Sequence, residues 1–161
     1  MVKKLKIMIA VLSVTLVSLI IMLIYGVNCL GTPLKQISVK IDGETTKEVK
    51  VELSDLYPDK TIGYDVELEG KNVEDFNVSL QFGGDKSNVL CSCVNVIIKT
   101  EDKEVRSGLK ELVNDKRVDL GKNVKKIKIY YIMPKDVGNE AQGADMDLVI
   151  TIKAETIQRQ G

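Results

Sequence analysis

The sequence predicts an all-β protein, with a single β-sandwich of immunoglobulin-like or jelly-roll type preceded by one N-terminal transmembrane helix. Two observations predict the sandwich. About eight segments alternate apolar and polar residues at a spacing of roughly 8–12 residues, and no sustained helical period follows residue 25. A third observation predicts the helix, because residues 7–25 are 19 consecutive positions without a charged side chain.

The uncharged segment is long enough to cross a bilayer, since 19 helical residues span roughly 28 Å. Lys3, Lys4 and Lys6 precede it, so residues 1–6 are expected in the cytoplasm and the rest of the chain outside the cell. Residues 26–35 are expected to be a linker and residues 36–158 an extracellular domain. A retained anchor is favoured because no Ala-x-Ala pattern follows the segment. Two alternatives stay open: a cleaved signal that frees a secreted domain, and a lipoprotein that carries a lipid on Cys29.

Composition excludes several classes of function. Residues 32–161 carry 20 basic and 23 acidic side chains, a net charge of −3 without a strong basic run, which argues against nucleic acid as a partner. The chain has no histidine, so histidine-containing zinc sites and Ser-His-Asp or Cys-His catalytic sets are excluded. We therefore expect no catalytic residue, metal site or cofactor, and no enzyme activity. An exported hydrolase that uses two carboxylates stays open as the alternative.

In the first half of the domain, the alternating pattern predicts four strands. They are expected at residues 37–41, 49–53, 62–68 and 76–82. Asp42-Gly43 predicts a hairpin between the first two strands. Leu56–Lys60 predicts a turn with Pro58 at its corner.

The middle of the domain is less regular. Residues 89–100 are more continuously apolar, which favours a central strand of the sandwich, and Val105 opens a short partner strand. Arg106–Asn114 predicts one helical turn around Leu109, Leu112 and Val113.

Two C-terminal strands have the clearest alternation. Their predicted inward faces are Ile127, Ile129, Tyr131 and Met133 on one strand, and Met146, Leu148, Ile150 and Ile152 on the other. Pro134–Gly143 between them is long for a hairpin loop, so we expect it to cross between the sheets. Within it, Lys135–Gly143 is the candidate interaction loop. Its candidate contact residues are Lys135, Asp136, Asn139, Glu140 and Gln142.

The cysteines are candidate redox or intermolecular thiols. In a strand, Cys91 and Cys93 would share one face with side chains about 6.5–7 Å apart, so a disulfide between them would distort the strand. The favoured interpretation is two small buried apolar side chains. Cys29 makes the number of cysteines odd and is a candidate for pairing between molecules.

Three motifs together resemble those of the TasA/camelysin-like exported proteins of Gram-positive bacteria, of the SipW-dependent type. Leu56–Lys60 resembles the family's L-x-P-G turn, with Asp59 at the glycine position. Ser107–Leu112 resembles its S-G-x-L-x-x-L stretch with one residue fewer. The most specific match begins at Met133-Pro134 and continues through GNEAQGADMDLVITIKAET, where Ile152 and Thr156 replace Phe and Gln. The family's aromatic A-x-F segment is missing after Tyr25.

The resemblance covers roughly residues 50–158 and implies a jelly-roll-like sandwich at the cell surface or in the biofilm matrix. In the best-known members it implies assembly into fibres. The expected partners are the membrane, through residues 7–25, further copies of the chain, and matrix or surface proteins. Strand addition by residues 37–42 is the expected route of assembly. Camelysin-type relatives imply the alternative of a metallopeptidase-like hydrolase, although the chain has no His-Glu-x-x-His motif.

Overall fold

The computed structural model describes residues 32–71 and 75–157. These form nine strands, two short α-helices and one 3-10 turn. The strands are β1 (Leu34–Lys40), β2 (Thr45–Leu53), β3 (Thr61–Glu69), β4 (Phe76–Gly84), β5 (Asn95–Lys99), β6 (Glu104–Gly108), β7 (Val118–Lys122), β8 (Lys126–Ile132) and β9 (Met146–Thr156). The helices are α1 (Val89–Cys93) and α2 (Leu109–Val113), and the 3-10 turn is Asn139–Ala141.

The predicted cytoplasmic segment 1–6, the predicted membrane segment 7–25 and Cys29 all lie outside the described residues. No helix within residues 32–71 and 75–157 has the length and apolar character needed to cross a membrane.

The strands form two sheets, which confirms the β-sandwich. One sheet has five strands in the order β1-β3-β8-β5-β6, and the other has four in the order β2-β9-β4-β7. All neighbouring strands are antiparallel except β1 and β3, which run parallel with Leu34 opposite Gly63 and Lys40 opposite Glu69.

The core lies between the sheets, and the alternation along β8 and β9 supplies much of it. All eight predicted inward-facing residues of this pair are at most 3% exposed, which confirms both predicted faces. Each fully buried side chain of this size contributes about 1.5–3 kcal/mol relative to an exposed one. Because β8 belongs to the five-stranded sheet and β9 to the four-stranded sheet, the loop between them crosses the sandwich, as predicted.

The predicted hairpin at Asp42-Gly43 is wrong. β1 and β2 lie in different sheets, so the connection between them crosses from one sheet to the other. The Ile41 amide donates to the carbonyl of Glu69 at 2.7 Å, which continues the pairing with β3 past the end of β1. Asp-Gly supplies the positive φ of Gly43, +87°, but that local geometry does not select the pairing partner.

The continuous strand predicted over residues 89–100 is also wrong in its first half. Val89–Cys93 is helical, and only Asn95–Lys99 is a strand, which lies inside the five-stranded sheet between β8 and β6. Asn88 caps the helix, because its side-chain oxygen accepts from the Leu90 amide at 3.0 Å. Leu90, Cys91 and Val94 are buried, which is the i, i+1, i+4 spacing of a helical face.

Two local predictions are confirmed. The helical turn predicted within Arg106–Asn114 is α2, with Leu109, Leu112 and Val113 buried. The predicted turn at Leu56–Lys60 is closed by the Lys60 amide, which donates to the Tyr57 carbonyl at 3.0 Å.

The strand directions place α1, α2 and the 3-10 turn at one end of the sandwich, which we call the helical end. It comprises residues 54–60, 85–94, 109–117 and 133–145. The opposite end, the turn end, contains the tight connections at residues 41–44, 100–103 and 123–125.

Candidate interaction surface

The predicted interaction loop lies at the helical end, and its five candidate side chains are all exposed. Contacts of the loop's own residues hold its backbone. The side chain of Ala141, a loop residue, is fully buried, and the Gln142 amide donates to the Asn139 carbonyl at 3.1 Å to close the 3-10 turn. The structure therefore presents a row of lysine, carboxylate and amide groups on a defined backbone.

The first end of the loop is bonded to the β2–β3 turn. The Asp59 amide donates to the Met133 carbonyl at 2.9 Å, and the Met133 amide donates to the Lys60 carbonyl at 3.0 Å. Lys135 and Asp59 add an ion pair at 3.4 Å, but both side chains are well exposed, so its contribution is small.

Tyr57 projects from this turn and is 55% exposed. The ammonium group of Lys60 lies 4.9 Å from the centre of the Tyr57 ring and donates to the Asp55 carbonyl at 2.7 Å. A cation over the ring face at this distance is attracted to the ring, which restricts its orientation. The turn thus presents a positioned aromatic side chain.

The far end of the loop is bonded to the start of α1. The Asn88 side-chain amide donates to the Asp145 carbonyl at 2.8 Å, while its oxygen caps the helix. The next residue, Val89, is 37% exposed. The Asp85 carboxylate accepts from the amide and hydroxyl of Ser87, and these bonds lower the pKa of Asp85.

Cys91 and Cys93 lie on α1 and not on a strand face, and both are free thiols. Cys91 is buried as expected, with its sulfur 3.3 Å from the Asp85 carbonyl and 3.8 Å from the Met146 sulfur. Burial, and then the charge of Asp85, raises the pKa of the Cys91 thiol, which disfavours the reactive thiolate. Cys93 is only half-buried.

No group of three or more His, Cys, Asp or Glu side chains that could hold a metal ion occurs within residues 32–71 and 75–157. The most perturbed titratable group of the described chain, Tyr131, lies in the core, where burial raises its pKa far above the ordinary range.

No protein-family model and no curated protein sequence matches the chain. Solved structures with a similar fold include PliG, a periplasmic inhibitor of g-type lysozyme from Salmonella Typhimurium. That similarity has 11% identity and a TM-score of 0.41, over 76% of this chain and all of the other. The pre-peptidase C-terminal domain of a Bacillus anthracis collagenase has 13% identity and a TM-score of 0.37, over 75% of this chain and 97% of the other.

The CUB1-EGF-CUB2 region of human MASP-1/3 is similar at 18% identity and a TM-score of 0.41, over 77% of this chain and 43% of the other. At such identities and scores these similarities carry no argument about function.

Sequence reasoning identified the loop but missed the apolar side chains beside it. Tyr57 and Val89 are the exposed large apolar side chains of the described residues, and each lies on a segment that is hydrogen-bonded to one end of the loop. The sequence carried no signal for either, because the exposure of Tyr57 depends on how the β2–β3 turn packs and that of Val89 depends on α1 being a helix.

Proposed function

We propose that the chain is an exported, non-catalytic β-sandwich that acts as an interaction module of the cell surface or biofilm matrix. Residues 7–25 hold it in the membrane as a single-pass anchor, or it is secreted when that segment is cleaved. The observation that supports binding is the helical end, where Tyr57 and Val89 flank a polar loop bonded to both of their segments. Apolar anchors beside polar groups are the usual composition of a protein-binding surface.

In this proposal the partner is a surface or matrix protein, and Tyr57 is the main anchor. A tyrosine in a pocket of the partner buries a large area with little loss of side-chain entropy, since the cation above its ring already restricts it. Lys135, Asn139 and Gln142 supply hydrogen bonds at the rim. Truncating a central aromatic anchor typically costs about 2 kcal/mol or more, which corresponds to about 30-fold in affinity.

A cell-binding experiment tests this surface. Fluorescently labelled full-length protein is titrated onto cells of the species that encodes it, in three forms: wild type, Tyr57→Ala, and the loop variant Lys135→Ala/Asn139→Ala/Gln142→Ala. The control is Lys47→Ala/Lys50→Ala, which changes two exposed residues of β2. We expect weaker binding for the first two variants and none of this loss for the control. Unchanged binding of both helical-end variants would show that this surface does not bind the partner. In a separate assay, chelator-sensitive cleavage of casein by the wild type would show that the protein is a hydrolase and would replace the proposal.

We further propose that assembly proceeds by strand addition through β1. This strand lies at the edge of its sheet and, among the described residues, pairs with β3 alone; it begins at Leu34, so the last two residues of the predicted linker, 26–35, belong to the strand. Its half-buried Ile37 and buried Val39 cover the core beside β3. A β1 from a second copy could make the same hydrogen bonds and fill the same space, so exchange conserves the contacts while linking two chains.

A reversible cross-link tests the exchange. Ser38 and Glu67 are register partners on β1 and β3 and both are exposed, so Ser38→Cys/Glu67→Cys is expected to close a disulfide that retains β1 in its own sheet. Negative-stain microscopy of the full-length protein at high concentration should show assemblies for wild type and for the Ser38→Cys control. The oxidised double variant should show monomers, and assembly should return on reduction. Assembly of the oxidised double variant would exclude strand exchange, as would strictly monomeric wild type under all conditions.

A further inference from the structure

A cleft of about 280 Å³ lies at the turn end, opposite the proposed interaction surface. Its walls are the β5–β6 turn, residues 100–103, and the β7–β8 connection, residues 120–126. This volume is sufficient for a small polar group, since a water molecule in the liquid takes up about 30 Å³.

Lysine side chains dominate the charged groups of the cleft. Lys103, Lys122, Lys125 and Lys126 line it, against the two carboxylates of Glu101 and Asp102. Four lysines against two carboxylates give the lining residues an excess of two positive charges. Two further carboxylates lie beside the lining and offset it: Glu67 is 3.6 Å from the Lys126 ammonium group, and Asp119 accepts from the Gly121 amide at 2.9 Å.

Two of the four ammonium groups, those of Lys122 and Lys125, are available, since the Lys103 ammonium group already donates to the Asp119 carbonyl. Lys126 lies 3.6 Å from the carboxylate of Glu67. In the described part of the chain, no carboxylate lies within 4 Å of the ammonium groups of Lys122 and Lys125, whose side chains are exposed. An anion that enters the cleft can thus bind them without first breaking an ion pair.

The backbone on both sides of the cleft is held in place. The Lys103 amide donates to the Thr100 hydroxyl at 3.0 Å, and the Lys103 ammonium group donates to the Asp119 carbonyl, which joins the two walls. The carbonyl of Lys125 accepts from the Leu68 amide at 2.8 Å. Gly121 has a φ of +88°, and its amide donates to the Asp119 carboxylate at 2.9 Å. Because the loops are ordered before binding, little backbone entropy is lost when a ligand enters.

We propose that this cleft binds phosphate groups, either of a small phosphorylated molecule or of a phosphate-containing polymer. Lys122 and Lys125 bind the phosphate oxygens from the β7–β8 side, and Lys103 contributes charge from the opposite wall. Lysine acts on phosphate as a point charge, so a cleft with several lysines fits a multiply charged group better than a single carboxylate. The site is independent of the helical end and of β1.

Isothermal titration calorimetry of the full-length protein tests the site with two probes, inorganic pyrophosphate and a long-chain inorganic polyphosphate. The test variant is Lys122→Glu/Lys125→Glu. The matched control is Lys47→Glu/Lys50→Glu, which makes the same change in net charge on exposed residues of β2. Unchanged melting temperatures of the variants, within about 2 °C, establish that folding is not the cause of any difference.

We expect wild type and control to bind pyrophosphate, and the test variant to bind it about tenfold more weakly or not at all. The wild-type affinity should fall as salt is raised from about 50 to about 200 mM, because roughly two or more charge contacts are screened. Tighter binding of polyphosphate per phosphate group would identify a polymer as the source of the ligand, and equal binding would identify a small molecule. The proposal is overturned if wild type fails to bind either probe at about 10 mM, a concentration tenfold above a Kd of about 1 mM. An equal loss in test variant and control would also overturn it, because it would show a response to net charge and not to this cleft.

Discussion

The hydroxyl group of Tyr131 is an unpaired polar group in the centre of the core, and its removal should stabilise the protein. Tyr131 is fully buried, and its hydroxyl has no hydrogen-bond partner among the described residues. Its ring packs edge-on against Tyr64, with the ring centres 6.0 Å apart. Tyr131→Phe keeps the ring and this contact, and removes only the hydroxyl.

The expected gain follows from two opposing terms. Burying an unpaired hydroxyl costs about 1–3 kcal/mol, which the substitution recovers. The void left by one oxygen, on the order of 10–15 Å³, costs about 0.3 kcal/mol at roughly 24 cal/mol per Å³. The free energy of unfolding should therefore rise by about 0.7–2.7 kcal/mol, and the melting temperature by roughly 3–5 °C for each kcal/mol in a domain of this size.

Urea denaturation followed by far-ultraviolet circular dichroism measures this change, since the chain has no tryptophan. The matched control is Tyr64→Phe, because the Tyr64 hydroxyl donates to the Glu52 carbonyl at 2.9 Å. Its loss should destabilise the protein by about 0.5–1.5 kcal/mol. If Tyr131→Phe were destabilising by as much as Tyr64→Phe, the Tyr131 hydroxyl would have to be hydrogen-bonded and the reasoning would be refuted.

The pH dependence provides a second measurement on Tyr131. Burial, and then the nearby Tyr64, raises the pKa of Tyr131 in the folded protein, whereas an unfolded tyrosine titrates near pH 10. Above about pH 10 the unfolded chain releases this proton and the folded chain retains it, so stability falls as pH rises, by up to about 1.4 kcal/mol per pH unit. In Tyr131→Phe this contribution should be absent and the decline correspondingly shallower. Equal slopes in the two proteins would contradict the assigned burial.

Three further outcomes are expected. Gly63→Ala should destabilise the protein by about 0.5–1.5 kcal/mol in urea denaturation, because the new Cβ would lie 2.3 Å from Cδ2 of Leu34, which must leave its rotamer. Gly83→Ala, where the nearest atom would lie at 3.8 Å, should change stability by less than about 0.5 kcal/mol. Asp59→Gly should raise the free energy of unfolding by about 0.5–1 kcal/mol in the same assay, because Asp59 has a φ of +69° and glycine adopts that conformation without strain. A destabilised variant would contradict this. Alkylation at about pH 8 should modify Cys93 roughly tenfold or more faster than Cys91, because the Cys91 thiol is buried and its pKa is raised. Peptide mass spectrometry measures both rates, and equal rates would argue against the burial of Cys91.

Much of the fold could be predicted because the alternation of side chains is a local property of the sequence. The inward faces of β8 and β9 needed only the period of two, and the helical turn at α2 needed only the spacing of Leu109, Leu112 and Val113. At the candidate surface the same reasoning found the loop, from its turn-forming composition and length. It did not find Tyr57 and Val89, because their exposure depends on how neighbouring segments pack.

The two errors arose where local signals were compatible with more than one structure. Asp42-Gly43 suits a hairpin, but the alternation of β1 is satisfied equally well by parallel pairing with β3, and only the packing of two sheets decides between them. Residues 89–94 are apolar enough for a strand, yet the cap at Asn88 and the burial of the adjacent residues Leu90 and Cys91 favour one helical turn.

By itself, then, the sequence determined most of the strand segments, the apolar face of each of them and the positions of the turns, although not the helical conformation of Val89–Cys93. It also determined that histidine-dependent chemistry is excluded. The tertiary structure decided strand order, the parallel edge pair and the grouping of exposed residues at the two ends of the sandwich. The physical reason is that alternation specifies which side of a strand is buried, whereas pairing depends on contacts between residues far apart in the chain. Tyr57 and Val89 beside the loop, and the lysines of the β5–β6 and β7–β8 connections around one cleft, come together only when those distant contacts are made.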